Sequence, residues 1–581
     1  MNDQKQYERA QTYLHSAVFP LLEEPVDLPR AMKVIIIGCG YSGICIAHKL
    51  SKGLKNAEIV MYDKNADFGG TWLENTYPGV TCDIPAHAYQ FSFATNPDWS
   101  KFYVEGPEIR QYLNKCADKL GVRPFAKFNH EIKGATWNEQ DGKWKLVVRQ
   151  NDTGTEVEDE ADVVVSATGF LNHWKWPAID GLDTFEGKLT HSAKWTLESV
   201  EDPVWNERRV AVIGGGSSGT QIVSQLQPHV AQLDNYVRSR TWISRPIGAM
   251  LLQQFPDGNT GNHTFTDEEK ASFRKNPASY KALLLQIEDF NQSVHAGTLT
   301  GTGVHQFLGK VFEKGMRDKL ASRPDIEEAI MPDFPVFCRR LTPGVGYLEA
   351  LMSENASLVT QPIARITSTG IETTDGTHRE YDVIVAATGF DTTYVPRYPI
   401  IGQREVNLQD RWREHPKTYL GLAQDSFPNW FQMAGPNTTV ATGSLLTVLE
   451  AQADYIVSCL RKIQRERIKW MAPKRKAVDD FQAFLDSYFP RTVWAGKCRT
   501  WYKGGQEDAR VTALWPGSSL HQFQVLQQPR FEDYEYGYTH DTGNTNGLYW
   551  LGNGFTKAEM DGIPGTRAWL VESSFSEENM L

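Results

Sequence analysis

Lys33-Val-Ile-Ile-Ile-Gly-Cys-Gly-Tyr-Ser-Gly43 decides the fold. Its opening, Lys33–Ile37, is a short β-branched run of the kind that forms a parallel strand buried on both faces. Gly38, Gly40 and Gly43 follow at once in the spacing G-x-G-x-x-G. Glycines there permit a tight turn and let the backbone approach a pyrophosphate, which rests on the N-terminus of the next helix. Residues 44–50 continue as that helix. A second apolar run, Glu58–Tyr62, ends in Asp63, 20 residues past Gly43, where a carboxylate receives ribose hydroxyls. Strand, glycine turn, helix, strand and acid in register predict a dinucleotide site.

The same grammar recurs downstream. Arg209–Ile213 reads as a strand feeding Gly214, Gly216 and Gly219, with Ser217 and Ser218 between the last two glycines and a helix over about 220–227. The next strand, 232–237, ends in no acid; it runs into Val237-Arg238-Ser239-Arg240-Thr241. A carboxylate would select a free ribose hydroxyl, whereas a guanidinium grips a 2′-phosphate with two parallel hydrogen bonds. Arg240 and Thr241 therefore predict a preference for NADPH over NADH. A second repeat shows how the two units are arranged: Ala-Asp-Val-Val-Val-Ser-Ala-Thr-Gly-Phe at 161–170 and Tyr-Asp-Val-Ile-Val-Ala-Ala-Thr-Gly-Phe at 381–390. Each is a buried strand ending in a glycine turn, and each closes a block that a glycine fingerprint opened. The economical reading is one dinucleotide-binding domain inserted into another. Two chain crossings between them make a hinge.

Composition bounds the rest. The 581 residues suffice for three or four units of ~150 residues. A net charge of −11 argues against a nucleic-acid surface, which needs clustered Lys and Arg. The seven cysteines contain no C-x-x-C pair, so neither a disulfide framework nor a zinc site is expected, and a reducing compartment is. The N-terminus is too polar for a signal peptide, and no apolar run approaches the ~20 residues of a membrane helix. The expectation is a cytoplasmic enzyme with no membrane or nucleic-acid partner and no metal; oligomeric state is left open.

Gly70-Thr71-Trp72, Tyr77-Pro78-Gly79 and Asp83 together spell G-x-W-x-x-x-x-Y-P-G-x-x-x-D, and Phe185–Trp195 spells F-x-G-x-x-x-H-x-x-x-W. Between them these motifs resemble the class B flavoprotein monooxygenases, and more closely the type I Baeyer–Villiger branch. The resemblance covers about residues 30–510. It implies an α/β fold of two nested Rossmann-like domains, for FAD and NADP, with a helical insertion: residues 1–170 and 387–581 for the FAD-binding domain, the latter including a C-terminal lid loop, and 171–386 for the NADP-binding domain, with the insertion at about 246–335. Residues 1–30 are expected to form a helical extension. By the same resemblance Gly70, Thr71, Trp72 and Tyr89 line the flavin, Asp83 sits beside its ring, and Phe185, Gly187, His191 and Trp195 couple the two domains. Thr196 departs from the Pro or Asp common at that place.

Phe337-Cys-Arg-Arg-Leu-Thr-Pro-Gly344 resembles the family's Cys-Lys/Arg-Arg-Pro segment, which makes Arg340 the catalytic cation and Arg339 a nicotinamide-side contact. Gly496–Gly505 resembles the family's mobile loop, with Trp501 reaching nicotinamide and substrate and the closed lid excluding water. Residues 444–463 have helical spacing, and that helix would turn its N-terminus toward the flavin. The implied reaction passes hydride from NADPH to FAD, takes up O2, and inserts one oxygen beside a ketone carbonyl through a flavin peroxide. Arginine suits it because it stays protonated and stabilises an anionic oxygen without surrendering a proton. Two alternatives stand beside this: a monooxygenase of amines or thioethers, and a cofactor-binding, redox-responsive protein without turnover.

Overall fold

The computed structural model describes residues 21–246, 248–255, 261–538 and 546–563. Most of the expected N-terminal helix, at residues 1–20, lies outside the described residues.

Strand β1 (Met32–Ile37) pairs in parallel with β2 (Ala57–Tyr62), which carries the short β3 (Ala126–Lys127) on its far side, and with β4 (Val163–Ser166). After β4 the chain leaves this sheet. It builds a second one from β5 (Lys188–His191), β6 (Arg209–Ile213), β7 (Gln232–Tyr236), β8 (Ala356–Val359) and β9 (Val383–Ala386), in the order β8-β7-β6-β9-β5. It then returns as β10 (Trp430–Gln432) beside β4, so the first sheet reads β10-β4-β1-β2-β3. Every pairing in both sheets is parallel. Parallel sheets need cover on both faces, which is why β1 is apolar and buried from Val34 to Ile37. Val34 and Ile36 pack into one core with Ile44 and Leu50, while Ile35 and Ile37 pack into another with Trp137, Trp144 and Trp430 from an antiparallel layer and β10.

Helix α1 (Tyr41–Gly53) follows the first glycine turn and α2 (Ser217–Leu226) the second. Both start two or three residues earlier than the apolar spacing suggests, because the turn glycines themselves close the first helical bonds. Between β7 and β8 lie α3 (Asp267–Lys275), α4 (Pro277–Ser293) and α5 (Gly303–Leu320). Thr266 and Glu269 form a reciprocal cap that starts α3. Helix α6 (Leu445–Arg465) covers α1 and puts Leu449, Ile456, Leu460 and Ile463 into the main core; α7 (Ser519–Leu526) packs against it. Among the described residues, no helix is long and apolar enough to cross a membrane.

One expectation needs correction. Cys338 and Cys498, 160 positions apart, are joined by a disulfide with Cα atoms 6.4 Å apart. Spacing could not reveal that pair, because two loops distant in sequence converge there. The segment 185–195, expected to couple the domains, contributes β5, the edge strand of the second sheet paired with β9, a strand its sequence did not announce. Phe185 and Leu189 drive this by joining the core cluster of Ile213 and Ile384.

Candidate active site

The first nucleotide turn is built by close backbone approach. A Cβ on Gly43 would lie 1.9 Å from the Gly38 carbonyl oxygen, and Gly38 itself holds φ of +110°. No side chain caps α1 after Gly40, so its opening N–H groups face outward as an anion site. Asp63, at the end of β2, accepts from the backbone N–H of Cys39 (2.6 Å) and of Asn65 (2.8 Å). Burial pushes its carboxyl upward, against those two hydrogen bonds. One lone pair on each oxygen is left for ribose hydroxyls. Gly70 abuts the turn: a Cβ added to it would come within 3.1 Å of the Gly40 Cα. The short helix Thr71–Glu74 begins there and turns the Trp72 ring edge-on to Tyr89 at 5.7 Å. Tyr41 Oη donates to the Tyr89 carbonyl at 2.9 Å, fixing that tyrosine beside the same turn. This turn, helix start and acid fit a flavin adenine dinucleotide.

Asp83 and Arg340 meet across 257 positions of sequence. Arg340 Nη2 donates to both Asp83 carboxylate oxygens, at 2.8 and 2.9 Å, and Nε donates to Oδ2 at 3.2 Å. The two side chains are 29% and 20% exposed, enough to reach a reactant and little enough to strengthen the pair. The Asp83 carboxylate raises the basicity of Arg340 above the guanidinium norm, with burial opposing. The Tyr502 hydroxyl lies against Arg340 as well; burial pushes its pKa up to about 12 and the arginine pulls it back.

The second glycine turn repeats the first. A Cβ on Gly219 would meet the Gly214 oxygen at 2.2 Å, while Gly216 faces open space, and Ser217 and Ser218 begin an uncapped α2. Arg238 and Arg240 line a pocket beyond β7 together with Thr360, with Asp325 and Glu328 on its far wall; Thr241 is buried behind them. Arg339 donates from Nη1 to the Arg240 carbonyl at 3.0 Å and lies over the Phe334 ring at 4.7 Å. Burial lowers the basicity of both Arg238 and Arg339, and Arg499 lowers both further. Arg238 and Arg240 at the strand end give the pocket guanidinium donors for a phosphate, so it fits a phosphorylated dinucleotide.

Besides the Asp83–Arg340 pair, Gln221 on α2 joins the halves. Tyr77 Oη donates to Gln221 Oε1 on α2 at 2.9 Å, and Gln221 Nε2 donates to the Thr81 carbonyl at 3.0 Å. Gly79, at φ +78°, sits so close that an added Cβ would lie 2.4 Å from Gln225 Cγ. His191 is buried, stacks on Trp174 with ring centres 4.5 Å apart, and lies 3.3 Å by Nε2 from Thr388 Oγ1, so it touches both chain crossings. Gly187 makes room for the Phe185 ring, 2.5 Å from where its Cβ would be; Trp195 is half-buried against the main core.

Trp501 stacks on Phe170 at 5.3 Å and contacts Tyr502 at 4.5 Å. Its loop is held by the Cys338–Cys498 bond and by Lys503, whose Nζ donates to the Gly496 carbonyl at 2.9 Å. Sequence reasoning missed Tyr502, Arg499, Phe170 and Gln221. Only Tyr502 left a trace, as the neighbour of Trp501.

Residues 36–105 match the model of an NAD(P)-binding Rossmann-like domain, and residues 90–302 that of L-lysine 6-monooxygenase/L-ornithine 5-monooxygenase. An FAD-binding monooxygenase of Aspergillus terreus is 42% identical over 92% of this chain and 94% of its own. A Baeyer–Villiger monooxygenase of Pseudomonas aeruginosa is 31% identical over 84% and 88%. Among solved structures, cyclohexanone monooxygenase from Rhodococcus sp. Phi1 bound to NADP+ superimposes with a TM-score of 0.73 at 26% identity, covering 88% of this chain and 99% of that one. The chain belongs to the FAD-binding monooxygenase family, as an enzyme of its Baeyer–Villiger type.

Proposed function

We propose that this enzyme uses FAD, NADPH and O2 to insert one oxygen atom beside a ketone carbonyl, giving an ester or lactone. The Arg340–Asp83 pair carries the reading. Bound FAD supplies hydride acceptance from NADPH and the activation of O2. The chain supplies the electrostatics. Arg340 holds a permanent positive charge where negative charge develops on oxygen as a carbonyl is attacked. Asp83 fixes the guanidinium plane through two parallel hydrogen bonds and preserves its charge. Trp501 and Phe170 form an aromatic wall that excludes water. Arg240 and Thr241 would hold the 2′-phosphate of NADPH, with Arg339 beside them on the Arg240 carbonyl and not at the expected nicotinamide side. An oxygenase of amines or thioethers needs no such cation, so the pair favours the ketone.

Purified, flavin-loaded protein given NADPH, O2 and a panel of ketones, thioethers and amines, with products identified by mass, tests this directly. Arg340→Ala is expected to lower ester formation by about 10²–10³-fold, as for loss of an oxyanion-stabilising group, with flavin reduction by NADPH retained. Undiminished ester yield in that variant sinks the assignment.

A further inference from the structure

A second polar cluster lies where α4, the 437–444 loop and α7 meet. Glu288, Asn291 and Gln292 share one face of α4 through spacings of three and four residues. Ser519 Oγ donates to Gln292 Oε1 at 2.6 Å and so ties α7 to α4. Gly443, at φ +89°, threads between them: an added Cβ would lie 2.0 Å from Ser519 Oγ and 2.8 Å from Gln292 Nε2. Gln522, one turn along the buried face of α7, is fully buried, and neither end of its amide has a partner. Asn291 is 3% exposed with both ends of its amide unpartnered, and Thr442 Oγ1 is unpartnered too. Each such buried group goes without the hydrogen bond it would make in water and so favours a ligand that supplies one. Burial also pushes the Glu288 carboxyl up to about 7, so near neutrality part of the population carries a proton it can donate.

The cluster is connected to the reacting pair from both sides. Helix α4 packs on residues 86–88, just past Asp83, and Ser444 Oγ donates to the Ala88 carbonyl at 3.2 Å. Gly297, just past α4, backs the Phe337 ring, 3.2 Å from where its Cβ would be, three residues before Arg340.

We propose that Asn291, Thr442 and Gln522 are specificity residues that hydrogen-bond a hydroxyl or carbonyl oxygen of the substrate remote from the carbonyl that reacts, so that the substrates are oxygen-bearing ketones and not plain hydrocarbon ones. The inference rests on the ketone reading above. A site built to hydrogen-bond a substrate hydroxyl rejects the analogue lacking it, because its own buried groups then stay unpaired. An apolar pocket gains no such discrimination.

Oxidised, FAD-loaded enzyme is titrated with cyclic ketones carrying a hydroxyl at successive ring carbons and with the parent ketone, following flavin absorbance for binding and mass for products. One hydroxylated isomer is expected to bind at least tenfold tighter than the parent. Asn291→Leu, Gln522→Met and Thr442→Val are each expected to cut that ratio severalfold. If Asn291→Leu fails to fold, Thr442→Val, which conserves shape and removes one hydroxyl, carries the test. No preference for any isomer, or a preference untouched in folded variants, overturns the proposal and leaves the cluster as a place for ordered water. Preferential binding without ester formation would sink the ketone reaction and keep the recognition; ester formation without preference would do the reverse.

Discussion

Arg240 and His191 show two ways in which one residue's environment sets its contribution. Arg240 is exposed beside Arg238 at the mouth of a pocket, so its charge is available to an incoming phosphate. Arg240→Gln is expected to raise the KM for NADPH about tenfold or more while leaving that for NADH nearly unchanged, because only the phosphorylated cofactor loses a bidentate contact. Steady-state kinetics with both cofactors check this. His191 is buried between Trp174 and Thr388, and desolvation lowers its pKa to about 4 from 6.5. The unfolded chain therefore takes up a proton between pH 6.5 and 4 that the folded chain refuses. Stability from this residue is complete above pH 6.5 and is lost as the pH falls toward 4. Calorimetry should show melting temperature dropping over that window, and His191→Gln should shrink the drop. It should not abolish it, since His87 is buried and depressed in the same direction, to about 3.

At the scale of elements, the 496–505 loop and the 337–344 segment act as one unit. The Cys338–Cys498 bond joins them, the Trp494 indole donates to the Phe337 carbonyl at 2.9 Å, and Tyr502 reaches back to Arg340. Without the covalent tie the loop keeps its aromatic packing, Trp501 on Phe170 and Tyr502 by Arg340, and a few hydrogen bonds, so it should open more often. Cys498→Ser is expected to speed tryptic cleavage around Lys497 and Arg499 severalfold, read by limited proteolysis against the wild type. Equal cleavage rates would show that packing alone holds the loop. Helix spacing in 444–463 made α6 legible beforehand, since period is a local property. The 496–505 loop has no such period, and the sequence alone offered only the resemblance of its Trp501 to a family pattern.

At the scale of the whole molecule, what matters is how the two parallel sheets are held in register. The chain crosses between them near residues 168–176 and 388–391, where Asp391 N–H donates to the His173 carbonyl at 2.8 Å. A third tie is the docking of Tyr77–Thr81 on α2. Gly79→Ala would place a methyl against Gln225 at a positive φ that alanine tolerates poorly, costing on the order of 1–3 kcal/mol. The expected outcome is slower flavin reduction by NADPH in stopped flow, with FAD affinity little changed; an unaltered rate would remove this contact from the coupling. The sequence by itself determined the two glycine turns, their parallel strands and the nesting of one sheet within the other. Those follow from φ permissiveness, apolar runs and a repeated strand ending, all readable within a few tens of residues. The resemblance already implied that Asp83 would hold Arg340; only the tertiary structure decided that Tyr502 stands behind that pair, that Phe170 backs Trp501, that Cys338 finds Cys498, and that 188–191 is a strand. These are contacts between segments up to 331 positions apart, set by the packing of whole layers and invisible to any local period.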